Sequence, residues 1–296
     1  MVTPMSTDGH ADLDSLRSLV DHLIDHGVTG LLVLGSCGEN AAIPREERLE
    51  IAAAAAERMA GRSHLLVGLP ALGTRDAIAD AAAFADVGAD ALLVPAPYGF
   101  PLSQHELRRH YEAVAEAAGI PLLAYNIPTR VNVWLEMPLI AALARDGVIA
   151  GIKDSSGNVE RQRVLAEATR ELDGFRRYTG SEECIDALLL GGFHGSVPGL
   201  ANVAAPLHVR LAACAAAGDW EGAADMQSRI VSISDLYAYQ LPNGGFSAQA
   251  IGALKEALRQ QGVIQHSTTA FPFVQPDSGM EEHVRAVLRR LAELMP

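Results

Sequence analysis

The feature that most limits the folds open to this chain is a repeating alternation of short apolar runs with amphipathic stretches, punctuated by glycine. Residues 28–34, 64–69, 91–95, 121–125 and 148–153 are apolar on both alternating faces, the pattern of strands covered on both sides. Between them, residues 45–60, 75–87, 104–118 and 135–144 space their apolar side chains as helices do. Gly27, Gly88, Gly119 and Gly147 stand where a helix must stop before the next strand, the place where a residue without Cβ closes a helix most easily. A helix at 14–26 precedes the first long run, and the cycle continues with helix 159–169, strand 175–178, helix 182–189 and strand 193–197. With a stub at Val2-Thr3, this predicts eight strands. Parallel strands of this kind need helices over them, and eight units without a long central crossover favour an α/β fold closed into a (β/α)8 TIM barrel. An open dinucleotide-binding sheet would show GxGxxG after an early strand, and Gly35-Ser36-Cys37-Gly38 does not match it.

Beyond residue 203 the strands stop, and residues 204–217, 219–239, 247–261 and 281–294 read as helices. The expected organisation is a barrel over residues 1–203 with a clipped first strand, and a C-terminal helical layer over 204–296 packed on it. Thr3 lies so near Met1 that either the first turns of that strand are lacking or a start codon lies upstream. A formal net charge of -13 argues against nucleic acid and anionic membrane as partners, because both would be repelled. No apolar run reaches the roughly 20 residues that cross a bilayer, and the amino terminus lacks the basic and apolar segments of a secretory signal. Cys37, Cys184 and Cys214 are odd in number and far apart, which points to free thiols in a reducing, cytoplasmic setting.

In a barrel the carboxyl ends of the strands converge on one pocket. The polar residues expected there are Thr3, Ser36 with Cys37, Tyr98, Tyr125, Lys153, Gly180 with Ser181, and Ser196 beside Val197. Lys153 ends the apolar run Val148-Ile149-Ala150-Gly151-Ile152, where an ammonium has no comfortable interior place. An amine held among apolar walls gives up its proton more readily, and the free amine attacks a ketone carbon. Schiff-base chemistry is therefore the reaction class of this inventory, which holds no His and carboxylate cluster and calls for no metal or cofactor. Tyr125, ending the preceding strand, suits proton transfer, with Ser36 as a second hydroxyl in the relay. Backbone N–H groups of Ser36 and Cys37 precede a helix and suit a substrate carboxylate. Arg130 has the fork that pairs with a second carboxylate, and Gly195 and Gly199 around Ser196 let the backbone approach a ligand. Glu39 and Asp154 suit loop and cap bonds more than proton transfer.

Thr3-Pro4, Gly35-Ser36-Cys37-Gly38-Glu39, Tyr125-Asn126-Ile127-Pro128, Gly151-Ile152-Lys153-Asp154, Gly195-Ser196 with Ala201-Asn202, and Ala253-Leu254-Lys255-Glu256-Ala257-Leu258 occur in that order along nearly the whole chain. In this the chain resembles the class I pyruvate-dependent aldolases, the family of dihydrodipicolinate synthase and N-acetylneuraminate lyase. The resemblance implies a TIM barrel with C-terminal helices, assembled as a homotetramer, a dimer of dimers. It implies Lys153 as the Schiff-base lysine, Tyr125 as the proton-relay tyrosine, and Ser36 with Cys37 as the pair that binds the pyruvate carboxylate. Cys37 stands where the family has threonine, and Pro97-Tyr98-Gly99-Phe100 stands where the dihydrodipicolinate synthases carry a Tyr-Tyr pair whose second ring reaches a neighbouring subunit's site. Arg130, by contrast, matches the arginine that follows the Tyr-Asn-Val-Pro motif of those synthases. The expected reaction is aldol addition or retro-aldol cleavage between pyruvate, or another 2-oxoacid, and a small-molecule aldehyde, with a 4-hydroxy-2-oxoacid or sugar acid as the joined compound. Two alternatives stand beside it: condensation of pyruvate with aspartate semialdehyde, the 4-hydroxy-tetrahydrodipicolinate (dihydrodipicolinate) synthase reaction, and a non-catalytic 2-oxoacid-binding relic.

Overall fold

A computed structural model of the chain describes residues 1–295, so Pro296, the last residue of the expected helical layer, lies outside the described residues. The elements in chain order are α1 (Leu13–Asp25), β1 (Gly30–Val33), α2 (Arg45–Met59), β2 (His64–Gly68), α3 (Thr74–Asp86), β3 (Ala91–Pro95) and α4 (Gln104–Ala118). They continue with β4 (Leu122–Asn126), α5 (Pro128–Val131), α6 (Met137–Arg145), β5 (Gly151–Asp154), α7 (Val159–Ala168), β6 (Arg176–Thr179), α8 (Ile185–Leu190) and β7 (Gly195–Ser196). Four long helices close the chain: α9 (Ala205–Ala216), α10 (Trp220–Ser232), α11 (Phe246–Gln260) and α12 (Ser278–Leu294). The chain divides into two compact units, one made of Met1–His64 with Gly199–Pro296 and the other of Leu65–Pro198.

In the second unit β2 to β7 pair in chain order, every pair parallel, with α3 to α8 as the connections. β4 is buried at all five positions, as a strand covered on both faces must be. Local signals set the helix ends. Ser103 opens α4 with a reciprocal box, its Oγ accepting from Glu106 N (3.3 Å) while the Glu106 carboxylate accepts from Ser103 N (2.8 Å). Gly119 closes the same helix at φ 63°. Tyr111 of α4 is buried and donates to Val94 O (3.1 Å), and the neighbouring His110 is buried with Nδ1 3.0 Å from Thr74 Oγ1. Burial pulls the His110 imidazole down to about 4, so it is carried neutral.

The first unit holds α1, β1, α2 and α9 to α12. Leu16, Leu19, Val20 and Leu23 form the buried stripe of α1, and Asp12 caps it by accepting from Ser15 N (3.0 Å). Its most polar interior feature is the ion pair between Glu39 and Lys255 of α11, both fully buried at the side chain. Lys255 Nζ also donates to Thr268 O (2.7 Å), and the second Glu39 oxygen accepts from Ala270 N (2.7 Å). Burial pulls the Lys255 ammonium below the ordinary lysine range against the opposing field of Glu39.

Several expected boundaries are corrected. Val2-Thr3 is not a strand, so seven strands are described rather than eight. The segment is held by Met1 N donating to Leu32 O (2.6 Å), Val2 N to Asn202 Oδ1 (3.0 Å) and Thr3 Oγ1 to Gly38 O (2.8 Å), contacts that do not form a ladder. The strand expected at 193–197 contracts to Gly195–Ser196. The single helix expected over 219–239 ends at Ser232 and gives way to a 3₁₀ turn, Ser234–Tyr237. Ser232 Oγ bonds Arg229 O (2.7 Å) and Ser234 Oγ bonds Val231 O (2.8 Å), hydroxyls that compete with the helical ladder. The one-turn helix α5, which periodicity could not show, begins at Pro128 in the first-turn position that proline favours.

Candidate active site

The register of the second unit brings Pro95, Tyr125, Lys153, Tyr178 and Gly195 into one row across β3 to β7. Neighbouring strands lie about 4.8 Å apart and residues in register share a face, so both flanks of Lys153 carry a phenol. Lys153 is 7% exposed, and its Nζ stands 4.8 Å from the centroid of the Tyr125 ring. Among the described residues it has no hydrogen-bond or carboxylate partner. Gly180 adjoins it: a Cβ there would sit 3.4 Å from Lys153 Cε and 2.1 Å from Ser155 Oγ, so a bare Cα leaves the lysine its space.

Lys153 and Lys255 are the only lysines of the chain, every other cationic Lys or Arg position being arginine. Both are buried, yet only Lys255 is matched by a carboxylate. A buried ammonium without an anion is unfavourable, and a structural role would have been served by the kind of pairing that Lys255 shows. Lys153 is thus a buried lysine with no anion beside it, which sets it apart from Lys255.

The alternate row, Asn126, Asp154, Thr179 and Ser196, faces the other way and fastens the strand ends. Asn126 Nδ2 donates to Asp154 Oδ2 (2.6 Å), and Asp154 Oδ1 accepts from Ser156 N (3.0 Å), Ser156 Oγ (2.6 Å) and Gln162 Nε2 (2.9 Å). Gln162 also donates to Ser181 Oγ (3.0 Å) and accepts from Thr179 Oγ1 (3.2 Å). Each member of this buried network is satisfied, so it holds β4, β5 and β6 rigid beneath the lysine and phenol. Asp154 thus works as the loop anchor expected of it. Gln162, Thr179 and Tyr178 are absent from the sequence reading, because only strand register places them.

Ser196 belongs to this alternate row, and Val197 continues the edge by donating its N–H to Thr179 O (2.8 Å). Arg130 is exposed on α5, one turn beyond β4. Tyr98 is 64% exposed on the loop after β3, where its N–H donates to Ala71 O (2.9 Å) and Gly99 follows at φ 104°. Ser36 and Cys37 lie in the first unit, half-buried in the turn after β1. That turn is tightly defined: Gly38 N donates to Gly35 O (2.9 Å), and Leu34 and Glu39 adopt φ of 56° and 58°. A Cβ at Gly38 would come within 3.0–3.1 Å of the Leu34 and Gly35 backbone, which explains the glycine. The buried Glu39–Lys255 pair anchors the end of the same turn. Cys37, Cys184 and Cys214 form no disulfide among the described residues. Among the described residues no helix is long and apolar enough to cross a membrane.

Comparison with known proteins gives the family and the fold. The dihydrodipicolinate synthetase family model matches residues 1–291. The 4-hydroxy-tetrahydrodipicolinate synthase of Azoarcus sp. (strain BH72) is 36% identical over 233 residues, 79% of each chain. That of Methylococcus capsulatus (strain ATCC 33009 / NCIMB 11132 / Bath) is 32% identical over 295 residues, 99% of this chain and 97% of the relative. Among solved structures, the chloride-inhibited dihydrodipicolinate synthase of Acinetobacter baumannii complexed with pyruvate superimposes with a TM-score of 0.89 at 30% identity, covering 99% of this chain and 97% of that one. YagE, a prophage protein of the dihydrodipicolinic acid synthase family from E. coli K12 in complex with pyruvate, gives 0.92 at 27% identity over 98% and 96% of the two chains. The fold is accordingly the (β/α)8 barrel type with a C-terminal helical extension. Matched from end to end, and with a buried, unpaired lysine at a strand's carboxyl end, the chain belongs to the dihydrodipicolinate synthetase family and is a class I pyruvate-dependent lyase.

Proposed function

We propose that this enzyme condenses pyruvate with aspartate semialdehyde, the reaction of a 4-hydroxy-tetrahydrodipicolinate synthase. The retro-aldol reading on a 4-hydroxy-2-oxoacid or sugar acid gives way to this alternative because the curated relatives named above are all such synthases. The observation that carries the reading is Lys153, buried without an anion and 4.8 Å from the Tyr125 ring. The free amine attacks C2 of pyruvate, and loss of water gives the iminium. Electron withdrawal by the iminium releases a C3 proton, Tyr125 serving as the proton carrier, and leaves the enamine. The enamine carbon adds to the aldehyde, forming the carbon–carbon bond. The amino group that came with the semialdehyde then attacks C2, closes a six-membered ring and releases Lys153 as the amine.

Ser36 and Cys37 serve as carboxylate binders through backbone N–H groups, with Ser36 adding a hydroxyl to the relay. Arg130 is the candidate grip for the second carboxylate, and Gly180, Ser196 and Val197 supply close backbone approach. Tyr98, on the loop after β3, is kept as a substrate-binding residue, a homotetramer built as a dimer of dimers is the proposed assembly, and cysteines without disulfides suit a cytoplasmic setting.

Borohydride reduction in the presence of pyruvate tests the central step. The expected result is one stable adduct on Lys153, absent in Lys153→Ala, together with semialdehyde-dependent consumption of pyruvate. Lack of any adduct removes the mechanism. An adduct without turnover of the semialdehyde removes the synthase assignment alone.

A further inference from the structure

We infer that the hydroxyl of Tyr178 is the donor that protonates the aldehyde oxygen of the second substrate as the new carbon–carbon bond forms. This rests on the reading above that an aldehyde is joined to pyruvate on Lys153.

Three observations carry it. Tyr178 is in register with Lys153 on the next strand and shares its face, so the lysine lies between Tyr125 on β4 and Tyr178 on β6. The ring is half-buried, and its hydroxyl has no hydrogen-bond partner among the described residues. A phenol withdrawn from solvent ordinarily finds one, as Tyr111 does with Val94 O (3.1 Å) and Tyr239 with Asp277 Oδ2 (3.1 Å). Finally, the ring lies over Gly195, its register partner, where a Cβ would come within 3.1 Å of Cδ1 and 3.2 Å of Cε1. The fold thus makes room for this ring on the Lys153 face and leaves its polar end unused. No other second phenol stands in the row, since Tyr98 is 64% exposed on a loop and Gly99 has no side chain.

The proton accounting closes. When the enamine adds, the aldehyde carbonyl pair moves onto oxygen, and that oxygen takes the Tyr178 proton to become the hydroxyl. The phenolate then accepts a proton from the ammonium of the former semialdehyde. That deprotonation produces the free amine which attacks C2 and displaces Lys153. Tyr125 handles the pyruvate C3 proton, so the two phenols serve opposite sides of the new bond.

Tyr178→Phe separates the two halves of the reaction. Borohydride trapping with pyruvate and deuterium exchange at pyruvate C3 without acceptor both read Lys153 and Tyr125. Both are expected within about twofold of wild type, while turnover with acceptor falls about a hundredfold, a typical contribution from a general acid. Each protein is assayed with aspartate semialdehyde and with glyceraldehyde. Wild-type turnover of glyceraldehyde alone refutes the synthase assignment, and the Tyr178 comparison is then made on glyceraldehyde. The inference is overturned if Tyr178→Phe keeps wild-type turnover on the acceptor used, if trapping and exchange fall together with turnover, or if wild type consumes neither aldehyde.

Discussion

Replacing Lys255 by methionine removes one half of a charge pair whose side chains are wholly shielded from water. The variant leaves the Glu39 carboxylate to the Ala270 N–H and strips Thr268 O of the Nζ that bonds it at 2.7 Å. An uncompensated interior charge of this kind costs about 3–5 kcal/mol. In a chain of this size each kcal/mol shifts the melting temperature by about 2–4 °C, so Lys255→Met should melt about 6–20 °C below wild type. Glu39→Gln combined with Lys255→Met leaves no charge behind, and the amide oxygen can still accept from Ala270. The pair of substitutions should recover at least half of the loss. Thermal scans and urea titrations followed by Trp220, which lies in the same unit, provide the measurement. Lys255→Met within about 1 kcal/mol of wild type, or a double variant no more stable than the single, would refute the assignment of an interior charge balance. Because Glu39 ends the turn that carries Ser36 and Cys37, a loosened pair should also raise the pyruvate KM more than it lowers kcat.

Acid should weaken the fold through His110 and His208, both held down to about 4 by burial. Their folded values lie below the unfolded 6.5, so the unfolded chain binds more protons and stability falls as pH drops from about 6.5 toward 4, by about 3 kcal/mol for each. His110→Gln should flatten that slope in urea titrations at stepped pH, and an unchanged slope would exclude His110 as its source. Gly151→Ala places a Cβ 2.6 Å from Arg176 O in the neighbouring strand, where backbone must yield, and should cost about 1–3 kcal/mol by the same titration. Wild-type stability would show that β5 and β6 separate more easily than their register suggests.

The strand and helix alternation was legible because parallel strands covered on both faces leave an unbroken apolar signature, and glycine marks the ends between them. Lys153 and Tyr125 stood out for the same reason, as polar groups closing otherwise apolar runs. What failed was whatever depends on partners distant in sequence. Val2-Thr3 reads as a strand but is secured by an amino terminus and an asparagine side chain, and no periodicity encodes that. Tyr178 lies in Arg176-Arg177-Tyr178-Thr179, a short stretch whose composition says little about which side chain turns toward Lys153. Parity along β6 becomes informative only once the pairing Lys153 with Tyr178 is known. Ser196 shows the converse, a residue chosen for being near a strand end that register assigns to the opposite row.

The confinement of lysine to two shielded positions also shapes how a lysine-specific endoprotease meets this protein. Its two sites, Lys153-Asp154 and Lys255-Glu256, consist of buried residues, so cutting must await local or global opening. The unfolded chain would yield fragments 1–153, 154–255 and 256–296. An N-alkylated Lys153 is no longer a substrate for that protease, so reductively captured enzyme, once denatured, would give 1–255 and 256–296. One digest under native conditions would time the opening of each unit, and the same digest after denaturation would count the fraction of molecules that had carried the pyruvate-derived adduct.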